Sequence, residues 1–299
     1  MKIERIEQIF SDELPYQDCF YYPSSSYLLS QEKSQLKFIL TARDNHNRSR
    51  LFKITYNLES KQIKINGPLI ELGINPSVFD SNGTSYPIYL RKENKEFIFY
   101  TGWASHEVNP FKNSLAVAVF EEGIMAQHNI SILDKAKYIS EIGSSEIMEY
   151  GDAYYLFFTE FLEWQQESPR YKISVAKGYD LLTWKKDYSF NLDIIDQLSS
   201  KLVCRPSIIF RDNLFYMFFC HRNEDSDYKL GLVSSKNFLD WHLVDQDIFK
   251  ACYLPTWCEI GQSYPHITYD EHNKIFRLFF AGNSYGKDGF GYAEFSKLR

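Results

Sequence analysis

The chain has 299 residues, 44% hydrophobic and 24% charged, the balance of a folded globular protein rather than a disordered one. Its formal net charge is −6 and it has no basic run, which argues against nucleic acid or an anionic membrane surface as partner, because phosphate contacts need a lysine- and arginine-rich face. No apolar stretch approaches the roughly 18 residues of a membrane span. The opening MKIERIEQIF alternates charge and apolarity and has no hydrophobic targeting core.

Aromatic content is the unusual number: 24 Phe, 22 Tyr and 5 Trp make 17% of the chain. Rings at this density favour strands, where they pack on a pleated, half-buried surface. The cysteines, Cys19, Cys204, Cys220, Cys252 and Cys258, are odd in number and match no zinc-ligand spacing. Free thiols in a cytoplasmic protein are expected, with no metal and no cofactor. The Asn-x-Ser/Thr triplets at Asn47, Asn82 and Asn129 then carry no glycan.

In chain order, the first candidate strand is KIERIEQIF, Lys2 to Phe10. Next comes a lead-in at Pro23, an aromatic strand KFIL ending before Thr41, and RLFKITY. The pattern then recurs as SYPIYL at Pro87, FIFY before Thr101 and SLAVAVF. A third copy reads GSSEIMEY, with Ser145 in the proline slot, then YLFF before Thr159, YKISVAK and a fourth strand behind Trp184. The fourth reads RPSIIF at Pro206, YMFF before Cys220, YKLGLVS and a strand behind Trp241, and the fifth SYPHITY at Pro265, RLFF before Ala281 and GFGYAEF. The aromatic strands end at intervals of 60, 58, 61 and 61 residues. Hairpin-forming Asn-Gly, Gly-Asp and Asp-Asn steps separate the strands.

Four antiparallel strands repeated radially predict an all-β fold, a five-bladed β-propeller occupying residues 1–299 as a single domain. A pair of β-sandwiches does not account for a period sustained to the end. The fifth copy lacks a fourth strand. Lys2–Phe10 resembles the fourth strand Trp241–Phe249 and is expected to close the last blade, which removes an exposed sheet edge.

In such a fold the first strands line a channel, and the loops before them and after the second strands open on one face. Polar groups converging there mark a ligand pocket. The starts of first strands give Tyr86, Ser144 with Glu146, Arg205 with Ser207, and Tyr264 with His266. The ends of second strands give Arg43, Asp44, Trp103, Glu160, His221, Arg222 and Asn283, and the loops add Asp80, Glu141 and Glu259. Each has a plainer alternative: Arg205 as an ion-pair partner of Glu146, His266 as a buried hydrogen-bonded ring, Asp80 as a turn former in Asp-Ser-Asn-Gly. Trp184 and Trp241 recur at equivalent outer positions and read as packing. No phosphate-cradling loop, dinucleotide fingerprint or nucleophile elbow is present.

The proline-marked first strands and aromatic second strands, as in SYPIYLRKENKEFIFYTGW and RPSIIFRDNLFYMFFCHR, resemble the five-bladed propeller glycosidases, across essentially the whole chain. These include the arabinanase and β-xylosidase group, the invertase and levansucrase group and the β-mannoside phosphorylase group. The resemblance implies carboxylates at the starts of first strands, serving as base or nucleophile, proton donor and tuning acid. Here the slots before the prolines hold Tyr22, Tyr86, Arg205 and Tyr264, the third copy has Ser144, and the donor position falls on Gly143. The remaining acid/base candidates are Glu146 and Glu160. Glu160, with aromatic neighbours and no assigned cation, ranks slightly ahead as donor. Arg205 and Arg222 are candidates to hold a carboxylate or phosphate. The expected function is a carbohydrate-active, glycosidase-like protein taking a small glycoside or activated sugar; the alternative is a sugar-binding propeller without the catalytic acids.

Overall fold

The computed structural model describes residues 2–11, 20–73, 79–105, 111–130, 142–165, 168–192, 198, 202–223, 226–250 and 252–298. The chain is all-β, built from four-stranded antiparallel units. One comprises β2 (Ser26–Glu32), β3 (Gln35–Arg43), β4 (Ser49–Asn57) and β5 (Ile63–Asn66). The next comprises β6 (Gly83–Lys92), β7 (Lys95–Ala104), β8 (Lys112–Glu121) and β9 (Ile124–Ile130); a single parallel pair, Ser49 with Gly83, joins these two into one sheet. The third runs β10 (Ile142–Tyr150), β11 (Ala153–Gln165), β12 (Ser168–Gly178) and β13 (Trp184–Asp187). The fourth runs β14 (Leu202–Arg211), β15 (Leu214–Arg222), β16 (Lys229–Ser235) and β17 (His242–Asp245).

The last unit holds β18 (Ser263–Asp270), β19 (Ile275–Ala281) and β20 (Gly289–Phe295). Its fourth strand is β1 (Arg5–Ser11), which pairs antiparallel with β20 from Arg5 opposite Glu294 to Ser11 opposite Gly289. The expected pairing of the N-terminal segment with the last unit is therefore present, over Arg5–Ser11. Gly291 makes it possible, since a Cβ there would strike the Glu7 carbonyl.

Alternation along the second strands explains their aromatic runs, because successive residues point to opposite faces and both faces are covered. Phe38 and Leu40 pack toward the last unit while Ile39 packs toward the second. Phe97 and Phe99 pack toward the third unit, and Ile98 and Tyr100 toward the first. Phe157 meets the fourth unit and Leu156 and Phe158 the second; Met217 and Phe219 meet the third unit and Phe218 the last. Leu278 and Phe280 pack toward the fourth unit and Phe279 toward the first. Each apolar cluster is thus shared by two neighbouring units, the last and the first included. Burying one such side chain contributes about 1.5–3 kcal/mol.

The first strands follow one another around the centre: β2 lies against β6, β6 against β10, β10 against β14, β14 against β18, and β18 against β2. Trp184 and Trp241 are buried between units, as packing residues should be. Among the described residues no helix is long and apolar enough to cross a membrane.

Candidate functional site

The residues just before the prolines share one strained conformation. Tyr22, Tyr86, Arg205 and Tyr264 all have positive φ, between 50° and 59°. Non-glycine residues avoid this region, and holding one there costs on the order of 1–3 kcal/mol. At Tyr86, Arg205 and Tyr264 the strain coincides with a β-bulge, seen as register shifts between Ser85 and Ile88, Cys204 and Ser207, and Ser263 and His266. Bulges re-aim side chains.

Neighbouring units help hold these bulges. The Tyr86 N–H donates to Ser25 Oγ at 3.1 Å, the Arg205 N–H to Thr159 Oγ1 at 2.9 Å, and the Tyr264 N–H to Cys220 Sγ at 3.3 Å. Thr159 and Cys220 are the residues that directly follow the aromatic runs of the repeat, within β11 and β15. Their position follows from this duty toward the next unit.

Two cavities meet at the centre. A cleft of about 510 Å³ is lined by Tyr22, Tyr86, Trp103, Phe111, Tyr264 and Tyr285, with Ser24, Thr41, Ser49, Ser85, Ser284, Asn47 and Asn113 between the rings, and with Arg43 and Lys287. Tyr86 and Tyr264, their ring centroids 5.6 Å apart, also line the second cavity. That space is only about 30 Å³ and is walled by Ser144, Ser145, Glu146, Arg205 and His266. It has room for about one water molecule.

Trp103 donates its indole N–H to Ser49 Oγ at 3.3 Å. Gly83, at φ +156°, lets it approach, since a Cβ there would meet the indole nitrogen. The Arg205 guanidinium lies 3.8 Å from the Tyr264 ring centroid, 4.6 Å from that of Tyr228 and 5.6 Å from that of Tyr86. Tyrosines thus surround the cation on several sides.

Glu146 is buried, accepting hydrogen bonds from Ser207 Oγ and the Ile147 N–H, both at 3.2 Å. Burial raises its pKa to about 8 although these bonds oppose the shift. Among the described residues no ion pair joins it to Arg205, so the ion-pair alternative for that arginine is corrected: the two share a cavity wall but not a salt bridge. His266 accepts the Leu28 N–H at 2.9 Å through Nε2, and burial lowers its pKa to about 3.

Glu160 stands apart from both cavities. Its carboxylate accepts from Lys186 Nζ at 2.6 and 2.8 Å and from Ser174 Oγ at 2.5 Å. The expectation that Glu160 has no cation beside it is overturned. The partner sits on β13.

Several other candidates are occupied by the scaffold. Asp44 caps its turn through the His46 and Arg48 N–H groups and pairs with Arg48; these bonds outweigh burial and hold its pKa below the usual value. Asp80 accepts from Tyr100 Oη and the Gly73 N–H. Asn283 accepts the Ile260 and Gly261 N–H groups and donates to the Thr256 carbonyl. His221 contacts the Gln246 carbonyl at 2.5 Å, and Glu259 is exposed beside the turn Thr256–Cys258. Arg222 lies over Tyr228, its guanidinium carbon 5.0 Å from the ring centroid. Glu141 lies outside the described residues. Tyr22, Tyr285 and Lys287 line the cleft without having been selected from the sequence. Tyr22 shares the pre-proline slot of Tyr86 and Tyr264, which was the available signal.

No family model matches the chain. Two relatives from Mycobacterium tuberculosis, uncharacterized protein MT1551 of strain CDC 1551 / Oshkosh and uncharacterized protein Rv1502 of strain ATCC 25618 / H37Rv, are each 23% identical over 270 residues, covering 86% of this chain and 87% of the relative. Among solved structures, the α-L-arabinofuranosidase from Lactobacillus brevis superposes with a TM-score of 0.68 at 12% identity, covering 97% of this chain and 92% of that one. A structure described under the GH130 family of mannoside phosphorylases, with glycoside hydrolases that target β-1,2 mannosidic linkages in Candida mannan, reaches 0.70 at 14% identity, covering 100% and 95%. A thermostable family-43 glycoside hydrolase gives 0.60 at 13% identity, covering 91% and 88%. The likeness is one of fold: the chain is folded as the β-propeller glycosidases are.

Proposed function

We propose that the chain is a single-domain, five-bladed propeller whose central cleft binds a carbohydrate. The observation that carries this reading is the wall of the cleft, where Tyr22, Tyr86, Trp103, Tyr264 and Tyr285 alternate with hydroxyl and amide side chains. Flat rings cover the C–H faces of a sugar, and short polar groups between them meet its hydroxyls. The successive four-stranded units, the ring of first strands and the β1–β20 pairing support the blade count. The free thiols of Cys204, Cys220, Cys252 and Cys258 support a cytoplasmic location.

Binding is placed ahead of hydrolysis because glycoside cleavage by the usual route needs two carboxylates flanking the bond. Among the described residues the cleft wall carries none. A glycan panel titrated against wild type and Trp103→Ala tests the reading: at least one sugar should bind, and the variant should lose about tenfold or more. A folded protein that binds no sugar, or binds equally after loss of Trp103, contradicts it.

A second reading keeps the enzyme, on one observation. Glu146 is a buried carboxyl that holds its proton to about pH 8, as a general acid must. It requires Tyr86 and Tyr264 to part so that substrate reaches the inner cavity. Turnover of an aryl glycoside, reduced by about 10²-fold in Glu146→Gln at unchanged stability, would establish it.

A further inference from the structure

Two neighbouring arginines, one of them in the wall of the inner cavity, each keep a buried nitrogen without an acceptor. Arg205 and Arg222 both lie over the ring of Tyr228, 4.6 and 5.0 Å from its centroid, so their guanidinium carbons are within about 10 Å of each other. Both are only partly buried. Neither forms an ion pair among the described residues, and Arg205 Nη1 and Arg222 Nε are buried without a hydrogen-bond partner. Tyrosine rings offset part of the charge and Arg205 Nη2 donates to Tyr86 Oη at 3.4 Å, but a guanidinium has only donors, and these contacts leave Arg205 Nη1 and Arg222 Nε without an oxygen acceptor. A buried donor left unmatched is costly.

The surroundings share the sign. Arg43 and Lys287 line the adjoining open cleft, in a chain whose net charge is −6. Tyr264 and Tyr285 line the cleft, and Tyr285 also stands 5.8 Å from Tyr228, linking the open space to the arginine pair. The Cys204 thiol senses the field. Burial alone would raise its pKa; a hydrogen bond with Cys220, and then the charges of Arg205 and Arg222, bring it down to about 7.

Building on the carbohydrate reading, we propose that the ligand is an anionic sugar, whose carboxylate or phosphate group reaches Arg205 and Arg222 from the cleft as the rings of Tyr86 and Tyr264 part. An oxyanion supplies the missing acceptors and engages a guanidinium through two parallel bonds, a geometry that lysine cannot reproduce.

Isothermal titration of the full chain with D-glucose, D-glucuronate, D-glucose 6-phosphate, the corresponding galactose, galacturonate and galactose 6-phosphate set, and inorganic phosphate separates the possibilities. At least one uronate or sugar phosphate should bind tenfold or more tightly than its neutral parent; which of the two arms gains identifies the anion. Arg205→Lys and Arg222→Gln should each erase most of that gain, with melting temperatures recorded for both. Should Arg205→Lys not fold, Arg222→Gln carries the test. Neutral sugars binding as tightly as their anionic counterparts, or an anionic preference untouched in a folded arginine variant, would overturn the inference and leave the carbohydrate reading standing. Inorganic phosphate binding as tightly as the sugar phosphates would instead count against the carbohydrate reading. Absence of binding by every probe would overturn both.

Discussion

Thr159 Oγ1 accepts the backbone N–H of Arg205 at 2.9 Å, and stands 3.1 Å from Ser144 Oγ. One hydroxyl thereby ties β11 to its own unit's first strand and to the strained residue of the next unit. Thr159→Val keeps the shape and removes the acceptor, leaving a buried N–H unpaired. We expect a loss of about 1–3 kcal/mol in urea unfolding, largely restored by Thr159→Ser. Equal stability of the valine variant would show that the contact does not support the Arg205 bulge.

The pair formed by Glu160 and Lys186 predicts a strong asymmetry. Lys186→Met should destabilise by about 3–5 kcal/mol because it leaves a buried carboxylate with only Lys172, 3.9 Å away and half in solvent, as counter-charge. Adding Glu160→Gln to that variant should recover most of the loss, and Glu160→Gln alone should leave sugar binding intact. Chemical denaturation of the three variants, with glycan titration, checks this.

Buried Glu146 and His266 oppose each other in pH. The Glu146 carboxyl, near 4.5 when unfolded and about 8 when folded, contributes stability fully present below pH 4.5 and lost as pH rises toward 8. The scale is on the order of 5 kcal/mol. His266, near 6.5 unfolded and about 3 folded, contributes stability present above pH 6.5 and lost as pH falls toward 3, when protonation also removes the acceptor for Leu28. Between about pH 4.5 and 6.5 the two slopes cancel. Glu146→Gln should flatten the alkaline fall and His266→Gln the acid one, read from melting temperature against pH. Parallel curves for wild type and variants would contradict these burial effects.

Gly83 gives a test of the cleft remote from its chemistry. Gly83→Ala forces apart the turn and the indole of Trp103, at a backbone conformation that also disfavours a side chain. Sugar affinity should fall about as far as in Trp103→Ala, while the core units persist by circular dichroism. Unchanged affinity would separate Trp103 from the binding surface.

Closure is tested at Gly291. A methyl group there collides with the Glu7 carbonyl across β1 and β20, so Gly291→Ala should loosen the seam and expose a sheet edge. Light scattering on storage should show association that wild type lacks. A fully monomeric, equally stable variant would mean that the seam adds little.

The repeat was legible because burial on both faces of every second strand leaves a near-continuous aromatic run, from Phe38 to Phe280. The β1–β20 pairing was legible because Lys2–Phe10 repeats the pattern of an outer strand. The site was less so. Spacing alone does not reveal that Lys186 on β13 reaches Glu160 on β11, since that contact depends on sheet register. Nor does it show Ser284 and Tyr285 turning through left-handed backbone to place a ring on the cleft. The pre-proline slot was visible, but its positive φ, shared by Tyr22, Tyr86, Arg205 and Tyr264, belongs to the folded bulge.

The seam between β1 and β20 also sets a timetable for synthesis. Arg5 finds its partner only when Glu294 exists, so β1 must wait, unpaired, while nearly all the other strands are made. A chain cut short before Gly289 leaves β1 without a partner and β19 with an open edge. Incomplete copies therefore expose β1 and β19 in addition to the outer strand edges that the full chain keeps, and it is at these extra edges that chaperones and proteases meet them.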